Sequence, residues 1–156
     1  MKETSRRDFQ VRYYEKEGNP EYWIVESHLS DEPHDITVTV EIDMPRMVIT
    51  DAAIRFDRAP SEHCKPVEQM AAKLVGLNVD EQFSRNVLRL FLGPQGCPNI
   101  MTLLTVAVPG IQYYYLPYLI RTGKMTHEQF YSRMKETQHD ACYAHSVMFA
   151  ETPAAE

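Results

Sequence analysis

Residues 34–43, His34-Asp35-Ile36-Thr37-Val38-Thr39-Val40-Glu41-Ile42-Asp43, decide the fold. Ile36, Val38, Val40 and Ile42 alternate without a break against Thr37, Thr39, Glu41 and Asp43. A period of two puts successive side chains on opposite faces, so this segment predicts a strand with one dry and one wet face. Half-wet strands belong to antiparallel sheets, because parallel sheets are covered on both sides.

The same period extends in both directions. Upstream, Phe9, Val11 and Tyr13 alternate with Gln10 and Arg12, and Tyr22-Trp23-Ile24-Val25 follows a Gly18-Asn19-Pro20 turn. Downstream, Met44-Pro45-Arg46 turns the chain into residues 47–57 (MVITDAAIRFD), which predicts Val48, Thr50, Ala52, Ile54 and Phe56 on one face. Four strands joined by short turns make a meander.

After Ala59-Pro60 the period becomes helical. Pro66 is expected to open a helix with Val67, Met70, Ala71, Leu74 and Val75 on one stripe, ended by Gly76. Asn78 with Glu81 reads as the capping box of a second helix, with Val79, Phe83, Val87 and Leu90 inward. A third helix follows Pro98, with Ile100, Leu103, Leu104, Ala107 and Val108 on one face; it stops at Pro109-Gly110, and the chain continues irregularly from Tyr113 to Ile120. Thr126 and Gln129 cap a fourth, with Phe130 and Met134 inward, running towards Cys142 and Phe149. Strands first and helices second give the α+β class: an N-terminal antiparallel β meander of about four strands covered by C-terminal helices.

With 156 residues the chain is the length of one domain, expected over 1–156 with short flexible tails at about 1–7 and 151–156. A net charge of −6, with Arg6-Arg7 as the longest basic run, argues against a nucleic-acid partner. Three cysteines and a charged, h-region-free start (MKETSRRDF) point to a reducing, cytoplasmic setting. No charge lies between Arg89 and Arg121, yet Pro109, Gly110, Gln112 and Pro117 interrupt the apolar run and argue against a membrane span. A buried helix hairpin, with a homo-oligomer contact through the apolar 99–120 region, is the expectation there.

The chemistry-bearing residues are few. Pro98 suits the first position of a helix, which places Cys97 of Gly96-Cys97-Pro98 at the N-cap, facing open N–H groups and the positive dipole end that favour thiolate. Cys64, two residues before Pro66, has a similar placement, and helical spacing would put His139, Cys142 and His145 on one face. Sulfur and imidazole donors of this kind suit Zn²⁺ or an iron-sulfur cluster, so Cys64, Cys97 and Cys142, with His34, His139 and His145, form the candidate metal set. His63 and His28 read as loop and surface residues, and Asp51, Asp57, Glu62 and Glu68 as surface charge. There is no GxSxG elbow, phosphate loop or HExxH motif, which leaves Cys97 as the candidate nucleophile if the protein is an enzyme.

Gly96-Cys97-Pro98-Asn99-Ile100, Ala141-Cys142-Tyr143-Ala144, Leu74-Val75-Gly76-Leu77 and the His34-Asp35 strand together resemble a bacterial family of unknown function. In that family the second motif reads Gly-Cys-Thr-His-Leu and the third carries Cys-His; here Asn99 and Tyr143 replace those histidines. A more distant similarity is to iron-sulfur scaffold proteins of the IscU and NifU type, which would imply Cys64, Cys97 and Cys142 as cluster ligands. Three roles follow as expectations: a metal or sulfur carrier or accessory protein, a small enzyme using Cys97 or the site metal, and a non-catalytic oligomeric interaction protein.

Overall fold

The computed structural model describes residues 1–150; the tail expected at 151–156 lies outside the described residues. The chain packs as two compact units, Met1–Ile111 and Gln112 onward. The first opens with four strands, β1 (Arg7–Glu15), β2 (Tyr22–Asp31), β3 (Asp35–Asp43) and β4 (Val48–Arg58), paired in chain order and all antiparallel. A 3-10 helix (Glu62–Lys73) and the helices α1 (Phe83–Phe91) and α2 (Pro98–Ala107) follow, ending in a 3-10 turn at Pro109–Ile111. The α+β expectation, sheet first and helices second, is met.

One face of the sheet is dry because the alternation demands it. Val25 and Leu29 of β2, and Ile36, Val38, Val40 and Ile42 of β3, are essentially removed from solvent. Against them the helices bring Phe83, Val87, Phe91, Ile100, Leu103, Leu104 and Ala107, each no more than 1% exposed. The opposite face carries cross-strand charge pairs, among them Arg12 with Glu26 at 3.0 Å and His28 Nε2 with Asp35 at 2.8 Å.

In β4 the predicted inward set is shifted. Glu41 lies opposite Asp51 but Ile42 lies opposite Ile49, so Thr50 is an extra residue, a β-bulge. The bulge reverses the pleat: Ile49 points into the core with 0% exposure, while the Thr50 hydroxyl donates to the Glu41 carboxylate at 3.0 Å. Thr50 therefore leaves the apolar row, and Ile54 and Phe56 keep their places in it.

The helix expected from Pro66 begins earlier and winds more tightly. Ser61 is its N-cap, accepting from the His63 N–H at 3.2 Å, and Pro66 is interior. Proline has no N–H and its ring collides with the carbonyl four residues back, which is compatible with i→i−3 bonding such as Cys64 N to Ser61 O and Leu74 N to Ala71 O. The capping box expected at Asn78 and Glu81 does not form, and the N-cap of the second helix, Gln82, makes no side-chain capping bond. Asn78 bridges to Val48, Asp80 accepts from the Gln82 N–H at 2.9 Å, and α1 starts at Phe83.

These connections seal the outer edge of β4. Ile49 donates to Leu77 O and accepts from Gly76 N, Val79 N donates to Met47 O, and the Glu68 carboxylate accepts from the Phe56 N–H at 2.8 Å. Glu68 is thus an edge cap rather than free surface charge, and Asp57 pairs with Arg55 at 2.9 Å.

The second unit contains α3 (Gln112–Arg121), α4 (His127–Gln138) and α5 (Tyr143–Met148). Residues 113–120, expected to be irregular, are a regular helix that tolerates Pro117. The Thr126–Gln129 capping box is present, with both reciprocal bonds formed. Among the described residues no helix is long and apolar enough to cross a membrane.

Candidate functional site

The β2–β3 turn, Asp31-Glu32-Pro33-His34, is closed by a bond from Asp31 N to His34 O at 2.9 Å. The Asp31 carboxylate folds back over it. One oxygen accepts from the His34 backbone N–H at 2.7 Å and lies 2.8 Å from His34 Nδ1. An ionised carboxylate can only accept, so Nδ1 carries the hydrogen and Nε2 of a neutral ring is left with its lone pair. The other carboxylate oxygen meets Arg7 at 2.7 Å.

Two arginines brace this turn. Arg58 donates to the carbonyls of Asp31 at 2.7 Å and His34 at 3.2 Å. Arg7 reaches across from Asp31 to the Asn99 side chain at 3.3 Å, on the first turn of α2. The Asp31 side chain is 6% exposed and that of His34 16%. Burial alone would raise the Asp31 pKa, but the hydrogen bonds from the His34 ring and backbone, with the charges of His34 and Arg7, outweigh it and hold the carboxyl below its usual range.

The thiols of the first unit lie on elements anchored at this same end of the sheet. Cys97 is the N-cap of α2 as the sequence predicts, in extended backbone and with no side-chain capping bond, two residues from the Asn99 that Arg7 holds. Its approach depends on Gly96, where a Cβ would lie 2.1 Å from the Phe91 carbonyl oxygen. Cys64 stands in the first turn of the 3-10 helix, six residues beyond Arg58. Cys64 and Cys97 are half-buried, Cys142 is exposed, and all three are free thiols.

The C-terminal trio has a different arrangement from the one expected. Helix α4 ends at Gln138 and Cys142 is the N-cap of the separate α5, so His139, Cys142 and His145 share no continuous helix face. His139 pairs with Asp140 at 2.7 Å, and His145 Nδ1 lies 3.0 Å from the Gln138 carbonyl. Among the described residues no group of three or more His, Cys, Asp or Glu side chains is arranged to hold a metal ion. Sequence reasoning does not single out Asp31, Arg7 and Arg58; the available signal is the Asp-x-Pro-His turn, with Asp three residues ahead of His.

A family described as "Protein of unknown function (DUF2889)" matches residues 5–111. The chain belongs to the DUF2889 family. That match ends at the residue where the first compact unit ends, so the DUF2889 region is the meander with its three covering helical segments. It contains His34, Cys64 and Cys97, whereas His139, Cys142 and His145 fall outside it. No curated protein and no solved structure matches, so the similarity to IscU and NifU scaffolds has no support from these comparisons.

Proposed function

We propose that the DUF2889 unit of this chain is a metal-binding accessory domain, in which His34 supplies the anchoring ligand through Nε2 and the thiols of Cys64 and Cys97 supply sulfur. The observation that supports this reading is the 2.8 Å contact between His34 Nδ1 and a buried carboxylate. Ligating histidines almost always donate their second ring N–H to such a partner, which fixes the tautomer and raises the basicity of the ligating nitrogen. Asp31 in turn is held by Arg7, so the ring is oriented before any ligand arrives. A mixed imidazole and thiolate set selects zinc or iron-sulfur species over calcium or magnesium. Among the described residues these donors are not grouped to hold a metal ion, so binding requires Cys64 and Cys97 to move towards His34.

The test is elemental analysis and a visible spectrum of the full chain purified anaerobically under reducing conditions, followed by cobalt titration. Wild type should take up one metal with thiolate charge-transfer absorption, and His34→Ala, Cys64→Ser and Cys97→Ser should each weaken it. Absence of metal uptake, or unchanged uptake in all three variants, overturns the proposal. A second reading rests on the same His34–Asp31 pair: a histidine base activating Cys97 as nucleophile. It requires one thiol to alkylate far faster than the others, and His34→Ala to abolish that difference.

A further inference from the structure

The second unit buries little that would hold it together. Among its described residues Leu116 and Phe149 are the large apolar side chains removed from solvent, and no residue of α4 is buried. Tyr113, Tyr131, Tyr143, Val147 and Met148 are instead between 52% and 85% exposed. Helical units this small are completed by disulfides, a metal or a partner chain. Cys142 is a free thiol, and among the described residues no group of side chains is arranged to hold a metal ion. That leaves a partner, and α5 shows where it fits. One side of α5 carries His145, whose Nδ1 lies 3.0 Å from the Gln138 carbonyl, and leads to Phe149, edge-on to Tyr131 with ring centroids 5.2 Å apart. Tyr143 and Val147 are four residues apart and so share the other face, where they are 85% and 60% exposed.

We propose that this outer face of α5 packs against the same face of α5 in a second copy of the chain. The two helices lie antiparallel about a two-fold axis, so that Tyr143 of each copy meets Val147 of the other. Charge selects this occupant. α5 contains no Lys, Arg, Asp or Glu, and residues 112–150 carry four Lys and Arg against three carboxylates. There is neither a basic stripe for anionic lipid or nucleic acid nor an acidic one for a basic protein. Residues 1–111 hold seventeen carboxylates against twelve Lys and Arg, so two copies repel there and can meet at the near-neutral helical unit. An uncharged patch of Tyr, Val and Met matches itself, as a two-fold contact requires, and has the composition of an interface core. Tyr143, Val147 and Met148 together expose roughly 400 Å², half of what each partner buries in a standard complex, so the dimer forms reversibly. In the 99–120 stretch expected to make such a contact, Ile100, Leu103, Leu104, Ala107 and Ile111 are already buried in the core of the first unit.

Sedimentation of the full chain over a concentration series tests this, under reducing conditions so that no Cys142 disulfide imitates association. Wild type should pass from monomer to dimer as concentration rises. Tyr143→Lys and Val147→Glu should each weaken self-association roughly tenfold or more, because each carries a charge into the contact twice. Leu88→Lys, at an exposed apolar residue of α1, should leave association unchanged. An equimolar mixture of the two α5 variants should dimerise more strongly than either alone. The introduced lysine then faces the introduced glutamate, and the native Val147 and Tyr143 still face each other. Far-UV circular dichroism checks that the variants fold, and protection of α5 amides that rises with concentration in wild type gives a reading without any substitution. A wild type that stays monomeric into the millimolar range overturns the proposal. So do unchanged dimerisation in folded α5 variants, equal weakening by Leu88→Lys, α5 amides that exchange alike at all concentrations, and a mixture that associates no better than its components.

Discussion

Asp31 holds His34 twice through one carboxylate oxygen, at the ring Nδ1 (2.8 Å) and at the backbone N–H (2.7 Å). The turn and the ring orientation are therefore set by the same atom. Because the carboxyl titrates below its ordinary value of 3.8 in the folded chain, its contribution to stability is fully present above that pH and is lost as pH falls through the lower, folded-state value. Asp31→Asn should lower the melting temperature at neutral pH and flatten the acid limb below pH 3.8. Thermal melts of both proteins across the acid range check this; parallel acid limbs would refute it.

Tyr13 ties the edge strand to the end of α2. Its hydroxyl donates to the Ala107 carbonyl at 2.8 Å, and a Cβ on Gly110 would come within 2.4 Å of the Tyr13 hydroxyl oxygen. Tyr13→Phe should cost about 1 kcal/mol, and Gly110→Ala about 1–3 kcal/mol through the clash. In the Tyr13→Phe background the clash disappears, since the next nearest ring atom is 3.6 Å away, so Gly110→Ala should then cost much less. Urea denaturation of the four proteins of the cycle measures the coupling; additive costs would contradict the geometry.

Gly96 is pressed against backbone rather than a movable side chain. A Cβ there meets the Phe91 carbonyl oxygen at 2.1 Å and its carbon at 2.3 Å, neither of which can rotate away. Gly96→Ala should destabilise by about 3 kcal/mol and disturb the Cys97 cap, whereas Gly93, at φ +106 with open space around it, should respond through backbone strain alone. Chemical denaturation and alkylation rates at Cys97 report the two effects.

The unit ending at Ile111 coincides with the DUF2889 match and contains the sheet with all the helical residues named in its core. A chain of residues 1–111 should therefore unfold cooperatively by itself and keep native chemical-shift dispersion. A molten fragment would show that the remaining residues are needed for its core.

How much was legible follows from what each signal measures. The strand at 34–43, the α2 face and the Cys97 cap were readable because alternation, helical spacing and proline placement are local. The Thr50 bulge was not, because it is a property of pairing between β3 and β4 and leaves each strand's own alternation looking intact. Glu68 looked like surface charge because its partner, the Phe56 N–H, is exposed only by the sheet ending there. His139, Cys142 and His145 satisfied a helical spacing that the chain breaks after Gln138. His34 was legible as a residue of interest, but its orienting partners Asp31, Arg7 and Arg58 come from three strands that only the folded sheet brings to one end.

The most direct test of the central claim is the zinc affinity of wild type against Asp31→Asn, measured by competition with a chelating dye on the reduced full chain. Loss of the orienting carboxylate should weaken binding roughly 10- to 100-fold while stoichiometry stays at one metal per chain. Equal affinity in the two proteins, or no zinc bound by wild type, would contradict a role for His34 as an oriented ligand.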